Sequence, residues 1–244
     1  MKIKHKHLLT TESTSLYIKE NFDLVGDFSF VSTDYQFNGK GRNDRKWISP
    51  IGENLLFSFS IKDPELVSRY QDLSVASAYV IASFLKEKFD INASYKWPND
   101  LYVDDKKISG ILLETHMDEE NIDGLIIGVG LNVNQILFNQ EELIYPATSI
   151  KCLKRRDINI ESIRNDLFIK FVSYFLSIKD GDTKYITFAK ENNYLLDKTV
   201  YIDIEGEETP VVVKDINDDG SLKILYQDEY YDIISGEISL TKKE

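Results

Sequence analysis

The sequence predicts an α+β fold in which a mixed α/β body is followed by a small all-β unit. Strand-like runs and long apolar helical patterns intermingle over the first 190 or so residues. The last 50 or so carry only short strand-like runs separated by turn signals. The charge also steps at Tyr194: from there to the end 13 acidic residues face 5 basic ones, a net of −8, whereas the preceding 193 residues carry −4. The expected units are therefore 1–193 and 194–244.

"TTESTSLYIKENF" (10–22) reads as a short helix behind a hydroxyl-rich cap. "FSFVSTDYQF" (28–37) alternates like a strand and runs straight into "GKGRNDRKW" (39–47), and "NLLFSFSI" (54–61) is a second strand beyond it. Residues 63–89 carry one long helical pattern, with Asp63 and Pro64 as start signals. "ASYKWP" (93–98) and "LYVDDKKISGILLETHM" (101–117) are strand-like, and Asp104-Asp105 has the composition of a hairpin turn. "GLIIGVGLNV" (124–133) follows the polar turn 118–123, and helices are expected at 157–178 and 183–193. The tail offers five strands: "KTVYIDI", "PVVVKDI", "SLKILYQ", "EYYDII" and "EISL".

Composition excludes several classes. A formal charge of −12 disfavours a general nucleic-acid binder, whose affinity comes from neutralising phosphates. No apolar run approaches the ~20 residues of a membrane span, and the basic start "MKIKHKHLL" lacks a secretory apolar stretch, so a cytoplasmic protein is expected. Cys152 is the only cysteine, and His5, His7 and His116 have no metal-ligand spacing. No dinucleotide fingerprint, P-loop or serine elbow occurs. An enzyme of this composition works by positioning and charge stabilisation, without a nucleophilic side chain of its own.

Three stretches carry candidate chemistry. In the first, Gly39 and Gly41 allow close backbone approach while Lys40, Arg42, Arg45 and Lys46 supply cations ahead of Trp47. A solvated turn, a nucleic-acid patch and a loop closing over a phosphate all stay open for it. In the second, "KWPND" (96–100), Pro98 favours an extended Trp97 and presents Asn99 and Asp100 at a corner suited to a ribose, an adenine edge or magnesium. Lys107 then starts a strand that reaches Gly110, and a β-bend with a solvated lysine pair is the competing reading. In the third, "GVGLNVN" (128–134), a buried Asn132 either meets a ligand or ties down the next loop.

Together "YQFNGKGRNDRKWISPIGENL" (35–55), "KWPNDLYVDDKKISGILLE" (96–114) and "GVGLNVN" (128–134) resemble, in order and spacing, the biotin–protein ligases. "STS" (13–15) stands where that family has a Ser-Thr-Asn motif, and "SGEISL" (235–240) resembles the end of its SH3-like C-terminal domain. The resemblance runs from about Thr10 to Leu240. It implies a mixed-sheet biotin/lipoyl-ligase-like catalytic domain (1–193) and an SH3-like barrel (194–244). It implies ATP and Mg²⁺ as substrate and activator, biotin as substrate, and no tightly bound metal. Biotin's carboxylate is joined to the α-phosphate of ATP, and a lysine of a biotin carboxyl carrier domain then attacks the biotinyl-5′-AMP. On this resemblance Ser13, Thr14, Ser15, Gln36, Gly39, Lys40, Gly41, Arg42, Lys107 and Gly110 bind biotin, Gly110 by leaving room for it. Arg42, Arg45, Trp47, Lys96, Asn99, Asp100, Lys107 and Asn132 serve ATP. Lys107, Arg42 and Lys40 are catalytic, and Asp100 is a candidate magnesium ligand.

Two positions depart from the family pattern. Lys40 stands where the family has the first arginine of Gly-Arg-Gly-Arg, which keeps the charge and loses the bidentate fork. Ser15 replaces the asparagine of the Ser-Thr-Asn motif. A lipoate or octanoate ligase or transferase on the same core is an alternative, as is a biotin-dependent regulator. About ten residues precede the first predicted helix, so no DNA-binding domain and no nucleic-acid partner are expected. No membrane partner is expected either, and an exposed sheet edge could serve homodimerisation or carrier docking.

Overall fold

The computed structural model describes residues 4–43, 45–139, 146–204, 206–236 and 238–241. Its body is a seven-stranded mixed sheet built from β1 (Lys4–Thr11), β2 (Ser29–Gln36), β3 (Leu55–Ile61), β4 (Ser94–Lys96), β5 (Asp100–Val103), β6 (Lys106–Asp118) and β7 (Asn121–Leu131). The strand order is β1-β2-β3-β7-β6-β5-β4, with only β1 and β2 parallel. α1 (Thr14–Glu20), α2 (Pro64–Ser68), α3 (Tyr70–Phe89), α4 (Ile150–Lys154), α5 (Ile160–Lys179) and α6 (Lys184–Glu191) complete the body. The tail forms a four-stranded antiparallel sheet, β8 (Thr199–Ile204), β9 (Glu207–Ile216), β10 (Leu222–Tyr226) and β11 (Glu229–Ile233), in the order β11-β10-β9-β8.

Side-chain alternation gives the sheet two different faces. On one, Phe30, Phe57 and Phe59 meet Phe168, Phe171 and Phe175 of α5, with Phe30 stacked on Phe168 at 4.2 Å between ring centres. Each such fully buried ring contributes roughly 1.5–3 kcal/mol of transfer free energy. This core also takes in Val200, Val211, Val213 and Ile224, so the tail sheet shares one hydrophobic interior with the body. The opposite face carries a smaller cluster, Ile18, Phe22, Val31 and Ile126, beneath α1.

Several expectations need correction. Thr10 and Thr11 end strand β1 instead of opening a helix, which starts at Thr14. "KHKHLLTT" gave no strand signal because β1 lies at the sheet edge with most side chains exposed or half-buried. The helical pattern over 63–89 breaks at Arg69, whose guanidinium donates to the Ile178 carbonyl at 2.9 Å and the Tyr185 hydroxyl at 3.1 Å. Helix α4 was not anticipated. In "EISL", Glu237 lies outside the described residues, and Ser239 makes an isolated bridge to Tyr201 where a fifth strand was expected. The Asp104-Asp105 turn does join β5 to β6, both residues having positive φ (48° and 61°), the signature of a two-residue hairpin loop.

Candidate active site

The face of the sheet opposite the helix-packed core floors a cavity of about 500 Å³. Strand periodicity explains the floor. Because Ile127, Val129 and Leu131 point into the main core, Gly128 and Gly130 point the other way. Gly130 is registered against Leu56 and Gly110, and Gly128 against Ser58 and Leu112. Trp47 lies on this glycine bed. A Cβ added at Gly130 would stand 2.3 Å from Trp47 Cε2, and one at Gly110 2.9 Å from Trp47 Cζ3. Gly110, given to biotin on the resemblance, lines the cavity with the Trp47 indole and, 3.1 Å from the same added Cβ, Lys107 Cε and Nζ against it. Trp47 Nε1 is buried with no hydrogen-bond partner among the described residues.

One end of the cavity is hydroxyl-rich. The Gln36 Oε1 accepts from the backbone N–H of Thr14 at 2.7 Å and from its hydroxyl at 3.0 Å. Thr14 Oγ1 also lies 2.7 Å from Ser58 Oγ, and the Ser13 and Ser15 hydroxyls are 3.0 Å apart. All three residues of "STS" are buried. A polar cluster with hydroxyls left over for a ligand suits a heteroatom-bearing head group.

The cations gather around Asp100. Lys107 Nζ is 2.7 Å from Asp100 Oδ1, an ion pair whose alignment falls short of a hydrogen bond, and it sits 5.5 Å from the centre of the Trp47 ring. Burial, opposed by Asp100 and Tyr95 and aided by Arg45, draws Arg42 below the ordinary arginine range. Arg42 donates to the Gly236 carbonyl at 3.0 Å. Lys96 is 4 % exposed, and burial lowers its pKa to about 8 against the pull of Asp100. Three cations around one carboxylate, Lys107, Arg42 and Lys96, make a positive cleft in a partly dry setting, where charge on a ligand is felt strongly.

The remaining sequence candidates take clear positions. Lys40 is exposed at the cavity rim and bridges to Lys46; Gly41 N–H donates to the Arg45 carbonyl at 2.7 Å, and Arg45 also lines the cavity. Gly39 does not line it: a Cβ there would meet the Trp47 carbonyl at 2.5 Å, so this glycine lets the loop close on itself. The Asn99 amide is tied to the Ile111 carbonyl at 2.7 Å. The Asn132 amide donates to the Thr148 carbonyl at 3.0 Å, which favours loop-tying over ligand contact. The same loop brackets Lys107, whose N–H donates to Pro146 O and whose carbonyl accepts from Thr148 N–H.

Asp100 does not fit a resident magnesium ion. It faces Lys107 directly and feels Arg42 and Lys96, and among the described residues no three His, Cys, Asp or Glu side chains are grouped to hold a metal. Ser58, Gly130 and Gln135 also line the cavity and were missed from the sequence. Serine at 58 and glycine at 128 and 130, alternating with apolar residues on two strands, was the available signal.

Comparison with known proteins places these features in context. The model of the biotin/lipoate A/B protein ligase family matches residues 9–132. A bifunctional ligase/repressor BirA from Salmonella typhimurium is 27 % identical over 243 residues, spanning 96 % of this chain and 73 % of that protein. A biotin–[acetyl-CoA-carboxylase] ligase from Paracoccus denitrificans is 28 % identical over 52 % of this chain and 53 % of its own length. A biotin protein ligase from Aquifex aeolicus, solved in complex with biotin and ATP, superposes with a TM-score of 0.84 at 26 % identity, covering 97 % of both chains. Among the described residues no helix is long and apolar enough to cross a membrane.

Proposed function

This chain belongs to the biotin/lipoate A/B protein ligase family, and we propose that within it the chain is an ATP-dependent biotin–protein ligase. It joins biotin to AMP and passes the biotinyl group to a lysine of a biotin carboxyl carrier domain. The observation that carries this reading is the meeting, in one cavity, of a hydroxyl-lined end with the cations around Asp100. One substrate is a carboxylate with a polar head group, the other a polyphosphate, and the cavity offers a fitting end to each.

In the first step a carboxylate oxygen of biotin attacks the α-phosphorus of MgATP, a P–O bond forms, and the bond to the β-phosphate breaks to release pyrophosphate. Two anions must approach each other, so the residues with most effect are those that offset charge. Lys107, paired with Asp100, would neutralise the oxygens of the new acyl-phosphate, and the ion pair at 2.7 Å supports that role. Arg42 joins it by exchanging the Gly236 carbonyl for a substrate oxygen. Magnesium arrives with the nucleotide, and no step here is assigned to it. In the second step the neutral amine of the carrier lysine attacks the acyl carbon, the C–N bond forms as the bond to AMP breaks, and the amine's proton is lost to solvent, so the nucleophile comes from the partner. Trp47 with Lys40, Gly41, Arg42 and Arg45, which line the cavity, would shield the mixed anhydride from water.

The same reading assigns residues 1–193 to a catalytic domain and 194–244 to an SH3-like domain. The antiparallel order β11-β10-β9-β8 and the Tyr201–Ser239 bridge support it. A cytoplasmic setting, a carboxylase partner and no nucleic-acid partner go with it; the net charge of −12 supports the last. A homodimer across an outer sheet edge is the matching proposal for assembly, read by sedimentation. The reading is tested by pyrophosphate release from ATP with biotin or lipoate as the acid. Release that depends on biotin and is indifferent to lipoate is expected, and release with lipoate alone would move the chain to the lipoate branch.

A further inference from the structure

Asn54 belongs to none of the groups assigned a role above, yet its buried side chain joins the two loops that flank the cavity. Its Oδ1 accepts from the Val133 N–H at 2.9 Å. A backbone N–H can only donate, so this contact orients the amide, and the NH2 group must face the other way. There it donates to Ser49 Oγ at 3.0 Å and to Gln135 Oε1 at 2.6 Å. Gln135 passes the chain on through its own NH2 group to the Leu137 carbonyl at 2.9 Å. Asn54, Ser49 and Gln135 are 2 %, 6 % and 7 % exposed, so water does not compete for these bonds.

The connectivity gives this network its consequence. Ser49 follows Trp47 by two residues and so ends the cationic loop over the glycine bed. Val133 and Gln135 follow Asn132, whose amide donates to the Thr148 carbonyl, and Pro146 and Thr148 bracket Lys107. A second link runs alongside, from the Asn134 N–H to the Glu53 carbonyl at 2.7 Å. A shift of either loop is thus felt by the other through the side-chain amide of Asn54, alongside this backbone bond.

We propose that Asn54 is a positioning residue that couples the cationic loop to the Asn132–Gln135 stretch and, through the Asn132–Thr148 bond, to the surroundings of Lys107, so that filling the acid end of the cavity favours filling the nucleotide end. The inference rests on the ligase reading for its ligands and not for its connectivity. Two variants test it. Asn54→Asp keeps the acceptor for Val133 and removes both donors; Ser49→Ala removes one acceptor and carries the test alone should the first variant not fold. Calorimetric titration of biotin with and without a non-hydrolysable ATP analogue gives the coupling factor. In the parent it is expected to exceed about fivefold and in the variants to fall close to one, with each ligand alone bound within about threefold of the parent. A parent with no coupling, or a folded variant that keeps it, overturns the proposal. Hydrogen exchange at the Val133 and Asn134 amides without ligand supplies a second reading: Ser49→Ala is expected to lower their protection about fivefold. Unchanged protection refutes the linkage whatever the ligands do, whereas failure of the parent to bind biotin refutes the ligase reading and leaves the exchange result to judge Asn54.

Discussion

Gly130→Ala probes the floor of the cavity with a single methyl group. The added Cβ would lie 2.3 Å from Trp47 Cε2, 2.4 Å from Cζ2 and 2.8 Å from Cδ2. Carbon atoms rest at roughly 3.5–4.0 Å, so the indole must retreat by more than about 1 Å. The strand cannot yield instead, because Gly130 is paired on both sides, to Leu56 and Gly110. Overpacking of this kind costs about 1–3 kcal/mol, and lifting Trp47 off the sheet is the cheapest relief. The movement passes into the cationic loop, since Trp47 N–H donates to the Gly39 carbonyl at 2.9 Å. A misplacement of about 1 Å in catalytic groups lowers turnover by roughly 10²-fold. Trp47 and Trp97 are the only tryptophans, and Trp97 is 3 % exposed with its N–H bound to the Gly220 carbonyl, so acrylamide quenching reports on Trp47. Gly130→Ala should raise quenching and slow adenylate formation about 10²-fold. Gly128→Ala is the control: its Cβ meets a movable Ser58 hydroxyl at 3.3 Å and no indole, so quenching should stay at the parent level. Parent-level quenching in Gly130→Ala, with a rate within twofold of the parent, would refute the glycine bed as the seat of Trp47.

Lys107→Ala should lower single-turnover adenylate formation by about 10²–10³-fold, the usual worth of one preorganised donor at a developing charge, with its folding checked by thermal melting; a parental rate would remove Lys107 from the chemistry. Lys96 titrates near pH 8 because burial disfavours its charged form. It is therefore cationic below that pH and loses its charge above it, so KM for ATP should climb as pH passes about 8 and Lys96→Met should flatten that climb. In stability the sign is the same as for any base with a depressed pKa: the unfolded chain binds more protons between about 8 and the ordinary lysine value, so Lys96 makes stability rise with pH across that window. Lys40→Arg restores a two-pronged donor and should slow escape of preformed biotinyl-5′-AMP by about tenfold, near 1.4 kcal/mol for one added charge-assisted hydrogen bond; a stopped-flow chase with unlabelled biotin reads it.

The sequence carried the site further than it carried the fold's edges. The Asp104-Asp105 hairpin and strands β2, β3 and β7 were legible because turn chemistry and apolar alternation are local signals. β1 was silent: an exposed edge strand buries too little to leave a pattern. The break at Arg69 was equally hidden, because its cause lies 109 residues away at the Ile178 carbonyl. Within the site, the residue types around Lys107 could be read, but their sharing of Asp100 could not. Gly110 was read as space for a ligand; it lines the cavity with Trp47 and Lys107 against it, and a glycine in a sequence announces room and not its neighbours. The Asn54 network was invisible for a related reason. Its members are ordinary polar residues, and only the fold brings Ser49 and Gln135 to the same amide.

The ligase activity itself is read most directly by intact-mass measurement of a biotin carboxyl carrier domain incubated with this protein, biotin and MgATP. The carrier is expected to gain the mass of one biotinyl group, at its acceptor lysine alone, and omitting ATP should abolish the gain. An unmodified carrier, with the protein folded and the same carrier accepting biotin from an established ligase, would contradict the ligase reading.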